Sequence, residues 1–115
     1  MNEALSLDVV FSALADPTRR AILARLAQGE ATVMELAEPF AISQPAISQH
    51  LKLLEQAGLV TSRVDGQRRP RRLAKPAIEA MDQWLGMLRK ALETNYDRLD
   101  HVLATMKSED RGKTK

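Results

Sequence analysis

Ser43-Gln44-Pro45-Ala46-Ile47-Ser48-Gln49-His50-Leu51-Lys52-Leu53-Leu54-Glu55-Gln56-Ala57-Gly58 is the stretch on which the fold turns. Ser43 is a strong N-cap, so a helix is expected over 44–56, with Gly58 as its stop. Ile47, Leu51 and Leu54 recur at spacings of four and three and share one stripe. With that stripe inward, Gln44, Pro45, Ser48, Gln49 and Lys52 lie on the other side. That side carries hydroxyls and amides but no acid. Such groups donate and accept at base edges in the major groove, and Gln suits adenine N6 and N7. Lys52 and the backbone amides near Ser43 suit phosphates at the positive end of a helix. A surface helix with Ser and Gln on its wet side is the plain alternative, and the neighbouring segments decide between the two.

Upstream, three more helices are expected. Leu5, Leu7, Val9, Val10, Phe11 and Leu14 form a short apolar helix pattern that stops near Ala15. Asp16 then caps a helix over 18–28, with Pro17 at a first-turn position where its missing N–H costs nothing, and Gly29 ends it. Thr32-Val33-Met34-Glu35 is a Thr-x-x-Glu capping box opening a short helix. Pro39 should end that helix at Glu38, because the residue before proline is pushed out of the α region. Only Phe40-Ala41-Ile42 then separates it from the Ser43 helix.

Downstream, Leu59-Val60-Thr61-Ser62-Arg63-Val64 is rich in β-branched residues, and Asp65-Gly66 is a hairpin signal of type I′. The return strand would cover 67–73, with Pro70 tolerated only at an edge or an irregularity. The order helix, helix, helix, helix, hairpin, long helix is mainly α with a small β-hairpin wing, a winged helix-turn-helix. One domain is expected over residues 1–107, holding both the DNA-binding and dimerisation surfaces, followed by a flexible polar tail over 108–115.

The charge distribution supports that layout. The 115 residues carry 17 Lys+Arg against 15 Asp+Glu, a formal net charge of only +2. Between positions 52 and 75, however, Lys52, Arg63, Arg68, Arg69, Arg71, Arg72 and Lys75 face only Glu55 and Asp65. A basic middle in a balanced chain fits a polyanion-binding face. Arg63, Gln67, Arg68, Arg69 and Arg71 flank the hairpin turn, from which they would reach phosphates or the adjacent minor groove. Ser43, Gln44, Pro45, Ser48, Gln49, His50 and Lys52 complete the candidate DNA-binding set. For His50 a packing role and a phosphate contact both stay open.

From Pro76 to Lys107 the chain has the pattern of one helix, about 45 Å long at 1.5 Å per residue. Ile78, Met81, Leu85, Leu88, Leu92, Asn95, Leu99, Val102 and Met106 keep a three-four spacing throughout, which is a heptad seam. A domain this small cannot cover so long a seam. A dimer is therefore expected, held by Leu5, Val10, Ile78, Met81, Leu85, Leu88, Leu92, Leu99 and Val102, the alternative being a helix that folds back on its own domain. Gly86 weakens the helix but leaves room for close helix approach.

Two stretches carry a family resemblance. Ala13-Leu14-Ala15-Asp16-Pro17-Thr18-Arg19-Arg20-Ala21-Ile22-Leu23 resembles the N-terminal signature of the ArsR-type winged-helix transcriptional regulators. The segment from Ser43 to Val60 resembles their recognition helix running into the first wing strand. The resemblance extends over residues 7–103. It implies a homodimeric bacterial repressor bound to a palindromic operator, with an inducer, often a metal, lowering DNA affinity. Many relatives bind metals through cysteine pairs on the helix before the recognition helix. Thr32 and Met34 stand at those positions here, and the chain has no cysteine, so thiolate sensing is not expected. Other relatives bind zinc through Asp and His on the last helix, where this chain offers only Asp97, Asp100 and His101. Zinc normally takes three or four ligands, so no metal site and no cofactor are expected. The trigger is then expected to be an organic ligand, a protein partner or autoregulation by abundance.

An enzyme is not expected. With no cysteine, two separated histidines and no glycine-rich phosphate loop, there is no catalytic constellation. A winged-helix interaction module without DNA binding is the remaining alternative, and the arginine-rich wing argues against it. No apolar run approaches the ~20 residues of a membrane span and Met1-Asn2-Glu3 offers no basic n-region, so a cytoplasmic protein is expected.

Overall fold

A computed structural model describes residues 6–113, with side chains through Lys107. The elements are α1 (Leu7–Leu14), α2 (Pro17–Leu26), α3 (Val33–Phe40), α4 (Gln44–Gln56), β1 (Val60–Ser62), β2 (Arg71–Leu73) and α5 (Lys75–Lys113). The chain divides into two compact units, Met1–Met81 and Asp82–Lys115, where the sequence pattern suggested one domain over 1–107.

Local capping chemistry sets the helix starts. The Ser6 hydroxyl accepts from the Val9 N–H at 3.3 Å, and an Asp16 carboxylate oxygen accepts from the Arg19 N–H at 3.0 Å. The Thr32 capping box is complete: the Glu35 N–H donates to Thr32 Oγ1 at 3.3 Å, and Glu35 Oε1 accepts from the Thr32 N–H at 2.8 Å. Each such cap satisfies amides that the first helical turn leaves unbonded. The stop expected at Glu38 is corrected: α3 continues through Pro39 to Phe40. Only one turn is affected, and the burial of Leu36 and Ala37, with Phe40 packed on the core, holds it helical. The chain then reverses at Ala41, which takes the left-handed conformation with φ +54°. This is a costly choice for a residue with a Cβ.

The hairpin is shorter than expected. β1 and β2 are antiparallel with Val60 opposite Leu73 and Ser62 opposite Arg71. Asp65 and Arg68 exchange two backbone hydrogen bonds at 3.0 Å, so the two central turn residues are Gly66 and Gln67. Only Gly66 of these has positive φ (+65°), which fits a type II′ turn with glycine first rather than the type I′ turn expected on Asp65-Gly66. Pro70 has no N–H to give, and regular pairing resumes only at Arg71. A further rung comes from outside the hairpin: Ala31 and Arg71 exchange backbone hydrogen bonds of 3.1 and 2.8 Å.

The core of the first unit joins Val10, Ile22, Leu36, Ile47, Leu51, Leu54 and Leu59, all with no residual exposure. Ala77 and Met81, on the first turns of α5, pack against it. In the second unit α5 is a helix that runs through the polar residues beyond Lys107 to Lys113.

Candidate nucleic-acid interface

On α4 the three residues of the apolar stripe, Ile47, Leu51 and Leu54, are fully buried. Ser43, Gln44, Pro45, Ser48, Gln49 and Lys52 are exposed, as the 3.6-residue period requires. The Ser43 hydroxyl accepts from the Ala46 N–H at 3.3 Å. The result is a capped helix start flanked by two amide side chains, two hydroxyls and one ammonium group, with no carboxylate among them.

His50 does not belong to that face. It is partly buried, with Nδ1 3.5 Å from Arg19 Nη1 and 4.0 Å from Asp16 Oδ2. It follows Ile47 by three positions and therefore turns toward the core side of α4. A guanidinium only donates, so Nδ1 accepts. Arg19 also donates from Nε to the Ala13 carbonyl at 2.7 Å and from Nη2 to the Ser12 carbonyl at 3.4 Å. One arginine thus ties the end of α1 and the start of α2 to the middle of α4. The N–H of Arg19, with the charge of its guanidinium, holds the Asp16 carboxyl below its ordinary range. The sequence marks Asp16 as a cap, but the role of Arg19 depends on three elements meeting and has no local signature.

The wing arginines separate into two groups. Arg63 makes a two-pronged pair with Glu30: Nη2 donates to Oε1 at 2.9 Å and Nε to Oε2 at 3.0 Å. This contact holds the Glu30 carboxyl below its usual range and raises the Arg63 guanidinium above its own. Arg71 has a side chain only 15% exposed. It donates from Nη1 to the Arg69 carbonyl at 2.8 Å, while its buried Nε finds no hydrogen-bond acceptor. Strand alternation turns Arg71 inward, so its expected place among the DNA contacts is corrected. The same alternation turns Arg72 outward, and that signal was there to be read. Arg69 and Gln67 are exposed, as is Arg68, which reaches Glu35 Oε1 at 3.5 Å. Lys52, Arg69 and Arg72 form no ion pair among the described residues.

The expected dimer residues also divide. Leu5 lies outside the described residues. Val10 is fully buried in the core of its own unit and offers nothing to a second chain, which corrects its assignment. Met81 packs on that core, and Ile78 is 36% exposed. In the second unit Leu85, Leu88, Leu92, Leu99 and Val102 remain 40–54% exposed.

A groove of about 500 Å³ between the start of α3 and the hairpin is lined by Thr32, Met34, Arg68 and Arg69, among others. A hydroxyl, a thioether and cationic neighbours do not fit a thiolate-held metal. Among the described residues no three His, Cys, Asp or Glu side chains gather as a metal-ligand set. No helix among them is long and apolar enough to cross a membrane.

Comparison with known proteins gives concordant matches. The model for "Bacterial regulatory protein, arsR family" matches residues 16–62, from the cap of α2 through β1. The HTH-type transcriptional regulator Rv2034 of Mycobacterium tuberculosis is 44% identical over 94 residues, covering 82% of this chain and 88% of that protein. The crystal structure of the ArsR family transcriptional regulator RHA00566 superposes with a TM-score of 0.69 at 40% identity, covering 76% of this chain and 96% of the other. The homodimeric winged helix-turn-helix DNA-binding domain of Mb0332 from Mycobacterium bovis, described as a possible ArsR-family transcriptional regulator, matches with a TM-score of 0.60 at 30% identity. It covers 72% of this chain and 77% of that fragment.

Proposed function

The chain belongs to the ArsR family of bacterial regulatory proteins and is a winged helix-turn-helix DNA-binding transcriptional regulator, and from that premise we propose that it acts as a homodimeric repressor of a palindromic operator. One observation carries the reading: α4 buries its apolar stripe completely and turns a continuous, acid-free face of Ser43, Gln44, Pro45, Ser48, Gln49 and Lys52 to solvent. Each α4 enters a major groove, where Gln44 and Gln49 read base edges and the capped helix start, with Lys52, grips phosphate. Arg69 and Arg72, with Arg68 and Gln67, extend the grip along the backbone. The partner is a second copy joined through the exposed seam of α5, and the homodimeric form of the Mb0332 domain supports this. Two copies set the half-sites about one helical turn, or a small multiple, apart. A dimer seated there blocks transcription by occupancy, in the bacterial cytoplasm. The inducer is an organic ligand or a protein rather than a metal, in keeping with the donor set around Thr32 and Met34.

The test is fluorescence anisotropy with the chain's own promoter region and with duplexes selected from genomic DNA, across a salt series. Tight binding with a steep decline of log K against log salt is expected, because each phosphate contact releases counterions. Absent or salt-insensitive binding to all duplexes overturns the reading. Release of the operator by one transition metal at micromolar concentration overturns the assignment of the inducer.

A further inference from the structure

The link between α2 and α3 does more than join two helices. Glu30 accepts two hydrogen bonds along one edge of the Arg63 guanidinium, at 2.9 and 3.0 Å. The next residue, Ala31, exchanges two backbone hydrogen bonds with Arg71, at 3.1 and 2.8 Å. Residue 30 thus holds the position just past β1 by its side chain, and residue 31 holds the start of β2 by its backbone. The Arg63 N–H in turn donates to the Pro70 carbonyl at 3.2 Å, across the point where regular strand pairing lapses. Arg68 and Arg72 also lie near enough to feel the Glu30 charge. A guanidinium already engaged at Nε and Nη2 has its best carboxylate- or phosphate-matching edge occupied.

Resting on the DNA-binding reading above, we propose that Glu30 is a positioning residue for the wing, and that Arg63 is its latch rather than a contact to DNA. The pair and the Ala31 rung fix the base of the hairpin, so the exposed arginines Arg69 and Arg72 are presented to phosphate from a set height and angle. The competing arrangement, in which Glu30 merely holds Arg63 back from the nucleic acid, predicts effects of opposite sign.

The experiment uses the full chain carrying Glu30→Gln, Arg63→Gln, or both, with anisotropy on one promoter duplex over a salt series and amide hydrogen exchange without DNA. Under the proposal each single change weakens binding about two- to fivefold, the range of one exposed ion pair. The double variant is no weaker than either single one, and the slope of log K against log salt stays as in the unaltered chain. Tighter binding by Glu30→Gln overturns the proposal. So does a slope shallower by about 0.9 for Arg63→Gln, which would mark a lost phosphate contact. Exchange is expected to quicken at the Arg63, Asp65 and Arg71 amides in all three variants, while Leu51 stays protected. Unchanged exchange at the hairpin overturns the latch whether or not the chain binds DNA. Loss of the DNA-binding reading itself would show in the unaltered chain, as absent salt-dependent binding.

Discussion

In α4, Ile47, Leu51 and Leu54 recur at spacings of four and three, and none retains any exposure; in α5, Leu85, Leu88, Leu92, Leu99 and Val102 keep the same three-four rhythm and stay 40–54% exposed. The same pattern has two outcomes because burial needs a second surface. Around α4 the chain supplies one, with α1, α2, α3 and the hairpin all contributing to the core of the first unit. The second unit is one helix, and a helix cannot cover its own stripe. Periodicity therefore reports that a seam exists, and only the count of neighbouring elements says whether the chain or a second copy fills it.

The sharpest way to break this contrast is a matched pair of truncations. Leu51→Ala is expected to cost about 2–5 kcal/mol, the range for removing a fully buried leucine. Urea unfolding should show this loss at every protein concentration. Leu92→Ala is expected to act through association: its loss relative to the unaltered chain should be largest at high protein concentration and shrink on dilution, and sedimentation should show more monomer. If Leu92→Ala is silent in both measurements, the α5 seam does not join two copies.

The two faces of α4 differ in the same instructive way. The inner stripe is fixed by packing, whereas the outer face is free for recognition. Gln44→Ala and Gln49→Ala should leave the unfolding midpoint nearly unchanged while lowering discrimination at particular base pairs by about 1–3 kcal/mol. Competition with single-base operator variants measures this. If both variants retain every base preference, the outer face is not the reading face.

The difference between α4 and the hairpin explains how far the sequence could be read. The α4 stripe, its cap and its wet face follow from local spacing, as do the Asp16 cap and the Thr32 capping box, and all of them are found in place. Arg71 and Val10 misled because charge and apolarity say nothing about which way a side chain turns. Strand alternation turns Arg71 inward, leaving its side chain only 15% exposed, and turns Arg72 outward, and the small core takes Val10 for itself. His50 was ambiguous until Arg19 and Asp16 arrived from other elements. The Ala31–Arg71 rung and the Glu30–Arg63 pair join residues far apart in sequence, so no local pattern announces them. Pro39 shows the reverse case, a strong local signal overridden by the burial of Leu36 and Ala37.

Gly86 offers a smaller test of who covers α5. A Cβ built there meets nothing within 4 Å in the chain. Gly86→Ala should therefore stabilise the helix by about 1 kcal/mol if only the chain's own atoms matter. If a second copy approaches closely at that point, the same methyl group weakens the dimer, and the dissociation constant from sedimentation rises while helix content does not fall. The sign of the change separates the two cases.

The smallest effect concerns acid, and it belongs to the first unit. Asp16, Glu30 and Glu35 are each held below their ordinary values of 3.8, 4.5 and 4.5: Asp16 chiefly by the Arg19 N–H, Glu30 by the Arg63 guanidinium, and Glu35 by the Thr32 N–H and hydroxyl. A carboxyl whose value is depressed on folding binds protons more readily in the unfolded chain. Its contribution is therefore complete above the ordinary value and is lost as pH falls through the depressed one. These three groups should leave the melting temperature level from pH 7 to about 5 and lower it progressively below about pH 4.5. Because the three hold the start of α2, the start of α3 and the base of the hairpin, the loss should show first as faster hydrogen exchange at the Arg19, Glu35 and Arg63 amides. Glu30→Gln removes one titrating group, so its acid decline should be shallower than that of the unaltered chain even though its melting temperature at pH 7 is slightly lower. An equally steep decline would mean that the Glu30–Arg63 pair contributes nothing to folding, and that the hairpin base is held by the Ala31 rung alone.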